Sequence, residues 1–160
     1  VAGRTVVNDG QTYKLHLIPS GILYKNTPCL IGAGVVLDPK DLLSEIDNLS
    51  SRGVSFDNMK IEPRAHVVMP WHITLDGLSE KFRGNSDIGT TKRGIGPCYM
   101  DKYERCGIRV YDLVHPEVFA EKARMTGKLK NKIITEVYGG EPHDIEAIIK
   151  EYTEYGKRLA

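Results

Sequence analysis

The chain has 160 residues, of which 41% are hydrophobic and 27% charged, and its formal net charge is +1. This composition argues against disorder, and a charge so close to neutral gives no global reason to expect a nucleic-acid or membrane partner. The sequence contains no run near the roughly 20 apolar residues of a membrane-spanning helix. Three cysteines without a CxxC pair favour a reducing, cytoplasmic compartment.

Both ends of the sequence predict that the chain is part of a longer protein. The first residue is Val1 rather than Met, and a strand is predicted almost at once, from Thr5 to Val7. The last stretch, DIEAIIKEYTEYGKRLA, is predicted to be a helix without a C-terminal cap or a trailing loop. We therefore expect a fragment.

The first predicted element is a β-hairpin. The stretch TVVNDGQTYKLHLI alternates apolar and polar residues around Asn8-Asp9-Gly10, a strong signal for a two-residue hairpin turn. The stretch CLIGAGVVLD follows as two short apolar runs separated by Gly32 and Gly34. This pattern predicts a buried strand that is interrupted where backbone must pass closely.

The clearest predicted helix begins after Asp38, a good N-cap, with Pro39 at its first position. Its apolar face consists of Leu42, Leu43, Ile46 and Leu49, and Gly53 marks its end. Another buried strand is predicted in AHVVMPW, and then a helix through Leu75, Leu78 and Phe82. Two more helices are predicted, at about residues 116–137 and 143–160.

Strands and helices mix in the first part of the chain, whereas helices dominate the second part. This order favours an α/β fold with a helical insertion. We expect residues 1–160 to form one partial domain, with the sheet portion at about 1–70 and the mostly helical portion at about 71–160.

Positive charge is concentrated between residues 81 and 109, where seven basic residues stand against three acidic ones. Glycines at positions 89, 94 and 96 allow backbone N–H groups to converge on an anion, and Thr90 and Thr91 add hydroxyl donors. Arginines add planar donors suited to phosphate oxygens. A phosphate site and a solvated basic loop both fit this pattern, while the P-loop and Rossmann motifs are absent.

The stretch IGTTKRGIGPCYMDKYERCGIRVYDL closely resembles a segment of the adenylosuccinate synthetase family, IGTT-x-RGIGP-x-Y-x-DK-x-x-R-x-G-[IL]-R-x-x-DL. Two upstream stretches, LHLIPSGILY and IGAGVVLDPKDLLSEIDNLSSRG, are similar to that family as well, and VAGRTVV is similar to its N-x-A-G-H-T-[VL]-V. The resemblance covers residues 2–125 and continues loosely to the end. It implies an α/β fold, part of a P-loop-NTPase-like, mainly parallel sheet with a helical insertion.

The resemblance also implies a reaction. Members of that family join aspartate to inosine monophosphate (IMP), using GTP and magnesium, and release adenylosuccinate, GDP and phosphate. The γ-phosphate of GTP is transferred to the purine 6-oxygen, and the amino group of aspartate then displaces it. Gathering several anions in this way requires hydrogen-bond donors, arginines and a metal. A cytoplasmic homodimer of the purine pathway is implied, with neither a nucleic-acid nor a membrane partner.

Site residues are implied position by position. Thr91 would contact the phosphate of IMP, and Thr90 and Gly89 would shape the same loop. Arg105 would reach the substrate of the neighbouring subunit. The resemblance gives supporting roles to three further basic residues, which are Arg93, Lys102 and Arg109. At the start of the chain it implies IMP contacts from Val1, Ala2, Gly3 and Arg4.

The same N-terminal segment departs from the family at two positions. Arg4 stands where the family has the histidine that donates a proton to the purine oxygen, and arginine does not exchange a proton near neutral pH. Val1 stands where an asparagine contacts the substrate. Gly3 aligns with a glycine whose carbonyl oxygen helps to hold magnesium. A catalytically impaired copy is therefore an alternative.

Other family parts match no segment of this sequence. The glycine-rich loop with its catalytic aspartate would precede Val1, and the guanine and aspartate loops would follow Ala160, so we expect the fragment alone to be inactive. Two alternatives from other classes stay open. Residues 81–109 could bind nucleic acid through their basic residues, although few aromatic residues are interspersed. The chain could also be a folded but inert fragment.

Overall fold

A computed structural model describes residues 3–86 and 88–160 of the chain. Strands β1 (Arg4–Asn8) and β2 (Gln11–Leu15) form an antiparallel hairpin in which Asn8 pairs with Gln11. The two residues between them, Asp9 and Gly10, have φ angles of 48° and 74°. Two consecutive positive φ angles are typical of the hairpin turn that an Asp-Gly pair favours, so the predicted hairpin is confirmed.

Four short strands follow, and they pair in parallel. These strands are β3 (Cys29–Ile31), β4 (Val36–Leu37), β5 (Met59–Ile61) and β6 (His66–Val67). Strand β3 pairs with β5, and β4 pairs with β6. A helix, α1 (Pro39–Ser51), lies between β4 and β5 in the chain. Parallel strands connected through a helix confirm the α/β class.

Helix α1 begins and ends where the sequence predicts. The Asp38 carboxylate accepts hydrogen bonds from the backbone N–H groups of Lys40, at 2.9 Å, and Asp41, at 3.4 Å. This bonding satisfies donors that have no partner within the first turn of a helix. Gly53, with a φ of 83°, follows the C-terminus of the helix and takes a left-handed conformation that a side chain would disfavour.

The second part of the chain is helical. Its α-helices are α2 (Pro70–Arg83), α3 (Ile95–Glu104), α4 (Val110–Leu113), α5 (Pro116–Lys132) and α6 (Ile145–Leu159). Short 3₁₀ turns cover Ser20–Leu23 and Gly84–Ser86, and a π-helical turn, Ile133–Val137, extends α5. The structure confirms the helices that were predicted before residue 84 and after residue 115.

Two details differ from the sequence predictions. Phe82 lies on α2, but its side chain is 78% exposed and its ring meets only the edge of Tyr138. Helix α3 occupies part of the glycine-rich stretch that was expected to be a loop. Gly96 and Pro97 lie in the first turn of this helix, where backbone N–H groups need no partner within the helix, so neither residue prevents it from forming.

One apolar core joins both parts of the chain. Its buried members come from the hairpin, the parallel strands and the helices, for example Tyr13, Ile31, Trp71, Phe119 and Tyr152. The division near residue 70 into a sheet portion and a helical portion stays a prediction, because the two portions share this core. In the described part of the chain, every helix is too short or too polar to cross a membrane.

Candidate functional site

The segment from Ile88 to Gly94, here called the basic loop, connects the end of α2 to the start of α3. Three of its residues have positive φ angles: Gly89 at 70°, Lys92 at 54° and Gly94 at 75°. Gly94 also lies against α2, since a Cβ atom there would be 2.7 Å from the backbone nitrogen of Ile73. Glycine is therefore required at position 94 for both its backbone angle and its close packing.

Two buried carboxylates of α2 hold the ends of the basic loop. Glu80 accepts hydrogen bonds from the N–H groups of Ile88 and Gly89 at 3.1 to 3.3 Å. Asp76 accepts one from Gly94 at 2.9 Å. Two of the three glycine N–H groups that were expected to face a bound anion, those of Gly89 and Gly94, thus bind carboxylates of the protein itself. The predicted anion nest is wrong in this respect.

The threonines lie between these two anchored ends. The hydroxyl oxygen of Thr90 accepts a bond from the N–H of Lys92 at 3.4 Å, which leaves its own proton available to a ligand. Thr91 is exposed. The Thr90 hydroxyl therefore keeps a donor for a ligand, whereas the N–H groups of Gly89 and Gly94 are bound within the protein.

A cleft of about 630 Å³ lies beside the basic loop. Lys92 and Arg93 line it from the loop, and Lys14 and His16 line it from the hairpin. Helix α1 and its N-cap also line the cleft, through residues that include Asp38 and Glu45. A second hollow, of about 640 Å³, is lined by Gly89 and Thr90, while Thr91 lines neither of these two spaces in the described structure. The loop thus presents two cationic side chains to the cleft, and Thr90 and Lys92 to the second hollow.

The N-terminal segment approaches this cleft through His16. A Cβ atom on Gly3 would be 2.8 Å from the His16 ring, so a larger residue would have to displace this ring. The β2 end that carries His16 is fixed, because Glu45 accepts the N–H groups of His16, Leu17 and Ile18. Arg4 is exposed and pairs with Leu15 across the hairpin. Val1 and Ala2 lie outside the described residues.

Arg105 lies at the far end of α3 from the basic loop. It caps the helix in a left-handed conformation, with a φ of 66°, and its side chain is exposed. The ten residues of α3 span about 15 Å at 1.5 Å per residue. Arg105 therefore lies about 15 Å along the helix axis from the end of the basic loop.

Two other predicted basic residues have internal partners. The Lys102 amine donates to the carbonyl oxygen of Ala33 at 3.1 Å, which ties α3 to the loop after β3. Arg109 precedes α4, and its backbone N–H donates to Asp112 at 2.8 Å. Arg83, one of the seven basic residues between positions 81 and 109, forms an ion pair with Glu80. Part of the positive charge in residues 81–109 is therefore engaged in contacts within the protein.

A buried network, here called the charge network, joins α2, α3 and α5. His72 accepts the Met69 N–H at Nδ1, so its proton lies on Nε2, which donates to Asp101 at 2.7 Å. The amine of Lys130 contacts the other carboxylate oxygen of Asp101 at 2.5 Å. Burial lowers the pKa of His72, although its bond to Asp101 acts in the opposite direction. His72 is therefore neutral at physiological pH.

The sequence interpretation missed Asp76, Glu80 and this network, although a signal was present. His72, Asp76 and Glu80 recur every four residues along α2, which places them on one helix face beside the buried Leu75. Polar residues with this spacing, on the same helix face as apolar residues, predict that their side chains are buried and bind other parts of the protein. Their partners lie up to 29 residues away, so the spacing alone does not identify them.

The described residues contain one group with the spacing of metal ligands: Asp101, Glu104 and Cys106. Lys130 already lies 2.5 Å from Asp101 and 3.6 Å from Glu104, so a cation is present there. Burial also raises the pKa of the Cys106 thiol to about 11, which disfavours the thiolate that a metal requires. This group therefore does not fit a magnesium site.

Comparison with known proteins identifies the family. A sequence model of the adenylosuccinate synthetase family matches residues 1–160. The chain belongs to the adenylosuccinate synthetase family. It is 56% identical over 158 residues to the adenylosuccinate synthetase of Thermoanaerobacter sp. (strain X514), and 58% identical over 160 residues to that of Clostridium botulinum (strain Langeland). Each alignment covers 99% of this chain and 37% of the relative.

A solved structure shares the fold. It is described as fully ligated adenylosuccinate synthetase from Plasmodium falciparum, with a TM-score of 0.84 and 32% identity. The match covers 99% of this chain and 36% of that one. The chain thus spans just over a third of the length of the relatives that it matches, and it shares their α/β arrangement over that span.

Proposed function

We propose that this chain contributes the IMP-phosphate side of an enzyme that joins aspartate to IMP at the expense of GTP, in the cytoplasm. Membership of the adenylosuccinate synthetase family supports a purine-biosynthetic ligase. The observation that carries the proposal is the basic loop, because Lys92 and Arg93 line a cleft of about 630 Å³ and Thr90 lines the second hollow. A phosphate group requires such donors.

Within the loop, Thr90 and Thr91 donate to the phosphate of IMP. Gly89 gives the loop its left-handed turn next to Thr90. Arg93, which lines the cleft, supplies a fixed positive charge near the substrate. Lys102 and Arg109 support the site indirectly, because their amine and backbone groups bind within the protein.

Arg105 acts on the site of a second copy of the chain. It is exposed at the end of α3, about 15 Å along the helix from the loop. An exposed guanidinium so far from its own loop suits a site that is completed across a homodimer. The Arg105 side chain of one protomer then contacts the IMP bound by its partner.

Gly3 fits the role of a magnesium ligand as one oxygen donor among several. Its carbonyl is a hard oxygen ligand of the kind that Mg²⁺ prefers, and a single such donor needs the phosphates of GTP and other oxygens beside it. When bound, the metal neutralises charge on the transferring phosphoryl group. Gly3, Val1, Ala2 and Arg4 then belong to the edge of the site that meets the purine.

Arg4 determines how well this site performs the reaction. A guanidinium is a fixed cation and cannot act as a general acid toward the purine 6-oxygen near neutral pH. A positioned general acid contributes about 10² to 10⁴-fold to a rate. We therefore also propose, as an alternative, that this copy binds its substrates but turns over slowly.

A single pair of proteins tests the proposal. The complete reading frame that includes this chain is expressed with Arg4 and as Arg4→His, and adenylosuccinate formation is followed with GTP, IMP, aspartate and Mg²⁺. We expect Arg4→His to increase the rate by about 10² to 10⁴-fold, the usual effect of a general acid. Equal and substantial rates in both proteins would contradict the role given to position 4.

Binding of IMP is measured in the same two proteins. An absence of both activity and IMP binding would overturn the assignment. Binding to single-stranded nucleic acid that weakens steeply with salt would instead favour a nucleic-acid function. The internal partners of Arg83 and Lys102 argue against that outcome, because they reduce the charge available to a phosphate backbone.

A further inference from the structure

The polar residues of α2 form a row along one face of the helix. His72, Asp76 and Glu80 are spaced by four residues, and they are 1%, 4% and 6% exposed. Residues with this spacing lie one above another on a helix, about one turn apart. Buried polar groups need partners, and all three of these residues find theirs in the segment from 88 to 101.

The partners follow in reverse order along the chain. Glu80, near the end of α2, accepts from Ile88 and Gly89, and Asp76, one turn earlier, accepts from Gly94. His72, another turn earlier, donates to Asp101 on α3. The segment 88–101 therefore runs back along α2 and is attached to it at three successive turns.

The two carboxylates differ in how many bonds they make to the loop. Glu80 uses both of its oxygens, at 3.1 to 3.3 Å, to hold two consecutive N–H groups. Asp76 uses one oxygen to hold one N–H group. Between these attachments lie Thr90, which is half-buried, and the exposed residues Thr91, Lys92 and Arg93. The carboxylates thus bind the backbone at both ends of the exposed segment.

We propose that Asp76 and Glu80 are positioning residues for the phosphate of IMP, an inference that rests on the proposed function. They hold the basic loop in its binding conformation before the substrate arrives, so the loop loses its freedom during folding rather than during binding. Preformed loops bind more tightly for this reason. The carboxylates take the inner N–H groups, and the hydroxyl and cationic groups stay free for the substrate.

The difference between the two carboxylates provides the test. Glu80→Gln keeps the shape of the side chain but replaces one acceptor oxygen with an NH₂ donor, whereas Asp76→Asn keeps the single acceptor oxygen that Gly94 needs. In the full-length protein, we expect Glu80→Gln to weaken IMP binding about tenfold, because a charge-assisted bond to the loop is lost. We expect Asp76→Asn to change it by less than about twofold, because the acceptor remains.

Calorimetric titration with IMP measures these affinities, and titration with GTP in the same proteins provides the comparison. Affinity for GTP is expected to stay unchanged in both variants. Hydrogen exchange of the segment 88–94 provides a second measurement and is expected to accelerate in Glu80→Gln. Glu121→Gln, an exposed carboxylate on α5, is the matched control and is expected to change none of these values.

Each contrary outcome has a definite meaning. Equal IMP affinities in Glu80→Gln and the unmutated protein overturn the anchor role alone. Parallel loss of IMP and GTP affinity in Glu80→Gln indicates damage to the whole fold and also overturns it. If the unmutated protein does not bind IMP, the proposed function fails, and the anchor role fails with it.

Discussion

The polar row of α2 supports two different kinds of structure at its two ends. At the His72 end, charged side chains pair with one another, and the network of His72, Asp101 and Lys130 links three helices. At the Glu80 end, carboxylates pair with the backbone of a loop whose side chains face solvent. One end joins helices, and the other shapes a loop.

The two ends of the polar row differ in the cost of removing one partner of a contact. In the charge network, the remaining charge is buried without a partner, and that cost falls on the whole fold. At Glu80, the freed N–H groups belong to Ile88 and Gly89, which are exposed residues that water can reach, so the cost is local. We therefore expect the network to determine stability and the anchors to determine ligand affinity.

The largest effect on stability is expected from Lys130→Met. This change leaves Asp101 without its cation, and we expect the free energy of unfolding to fall by about 3–5 kcal/mol, as in other proteins with a broken buried ion pair. Denaturant unfolding of the full-length protein measures the change. Lys128→Met, at an exposed position two residues earlier, is the control and should cost less than about 1 kcal/mol. Equal losses in the two variants would remove the distinction between network and surface.

Gly94→Ala changes a residue that binds the Asp76 carboxylate and packs against the α2 backbone at His72 and Ile73. Its N–H binds Asp76, and an added Cβ would lie 2.7 Å from the Ile73 nitrogen and 2.8 Å from the carbonyl carbon of His72. Left-handed strain and this overlap together should cost about 3 kcal/mol of unfolding free energy. Gly10→Ala is the matched control, because φ is almost the same, 74° against 75°, but no atom lies within 4 Å. It should cost about 1 kcal/mol, and a similar loss in both variants would show that the close packing is unimportant.

The smallest expected effect is a dependence of stability on pH. Burial lowers the pKa of His72, with Lys130 adding to this effect and Asp101 opposing it, so the folded protein resists a proton that the unfolded chain accepts below about pH 6.5. Stability is therefore complete above that pH and decreases as the pH falls below it, by up to about 1.4 kcal/mol per pH unit. Burial also lowers the pKa values of His66 and His143, so these residues contribute in the same direction.

Unfolding curves between pH 7.5 and 5.5 measure this dependence. The His72→Gln protein cannot take up a proton at this position, so its stability should depend less steeply on pH. If the stability of His72→Gln depends on pH as steeply as that of the unmutated protein, the charge network does not control the pH dependence.

The sequence predicted elements whose signals are local. The turn at Asp9-Gly10 and the cap at Asp38 depend on residues within four positions of one another, and both are present in the structure. Helix α3 was missed because Gly94 and Gly96 suggest a loop, and Pro97 is compatible with a helix only in its first turn. Local patterns do not reveal which of two permitted conformations the tertiary packing selects.

The residue types of the candidate site could be predicted from the sequence, but not which of their polar groups bind within the protein. Clustered glycines, threonines and cations indicated an anion site, but nothing in the cluster shows that Glu80 and Asp76 occupy the glycine N–H groups. Lys102 likewise counts as a free cation in the sequence, whereas in the structure it binds the carbonyl oxygen of Ala33. Such partners are distant in sequence and become known only when the helices are in place.

The end of α3 shows a compromise between stability and function. Arg105 takes a left-handed conformation that glycine adopts without strain, and a non-glycine residue there costs about 1 kcal/mol. A helix end selected only for stability would carry glycine. The arginine gives up that stability, and in exchange the end of the helix carries an exposed positive charge that the proposed function uses.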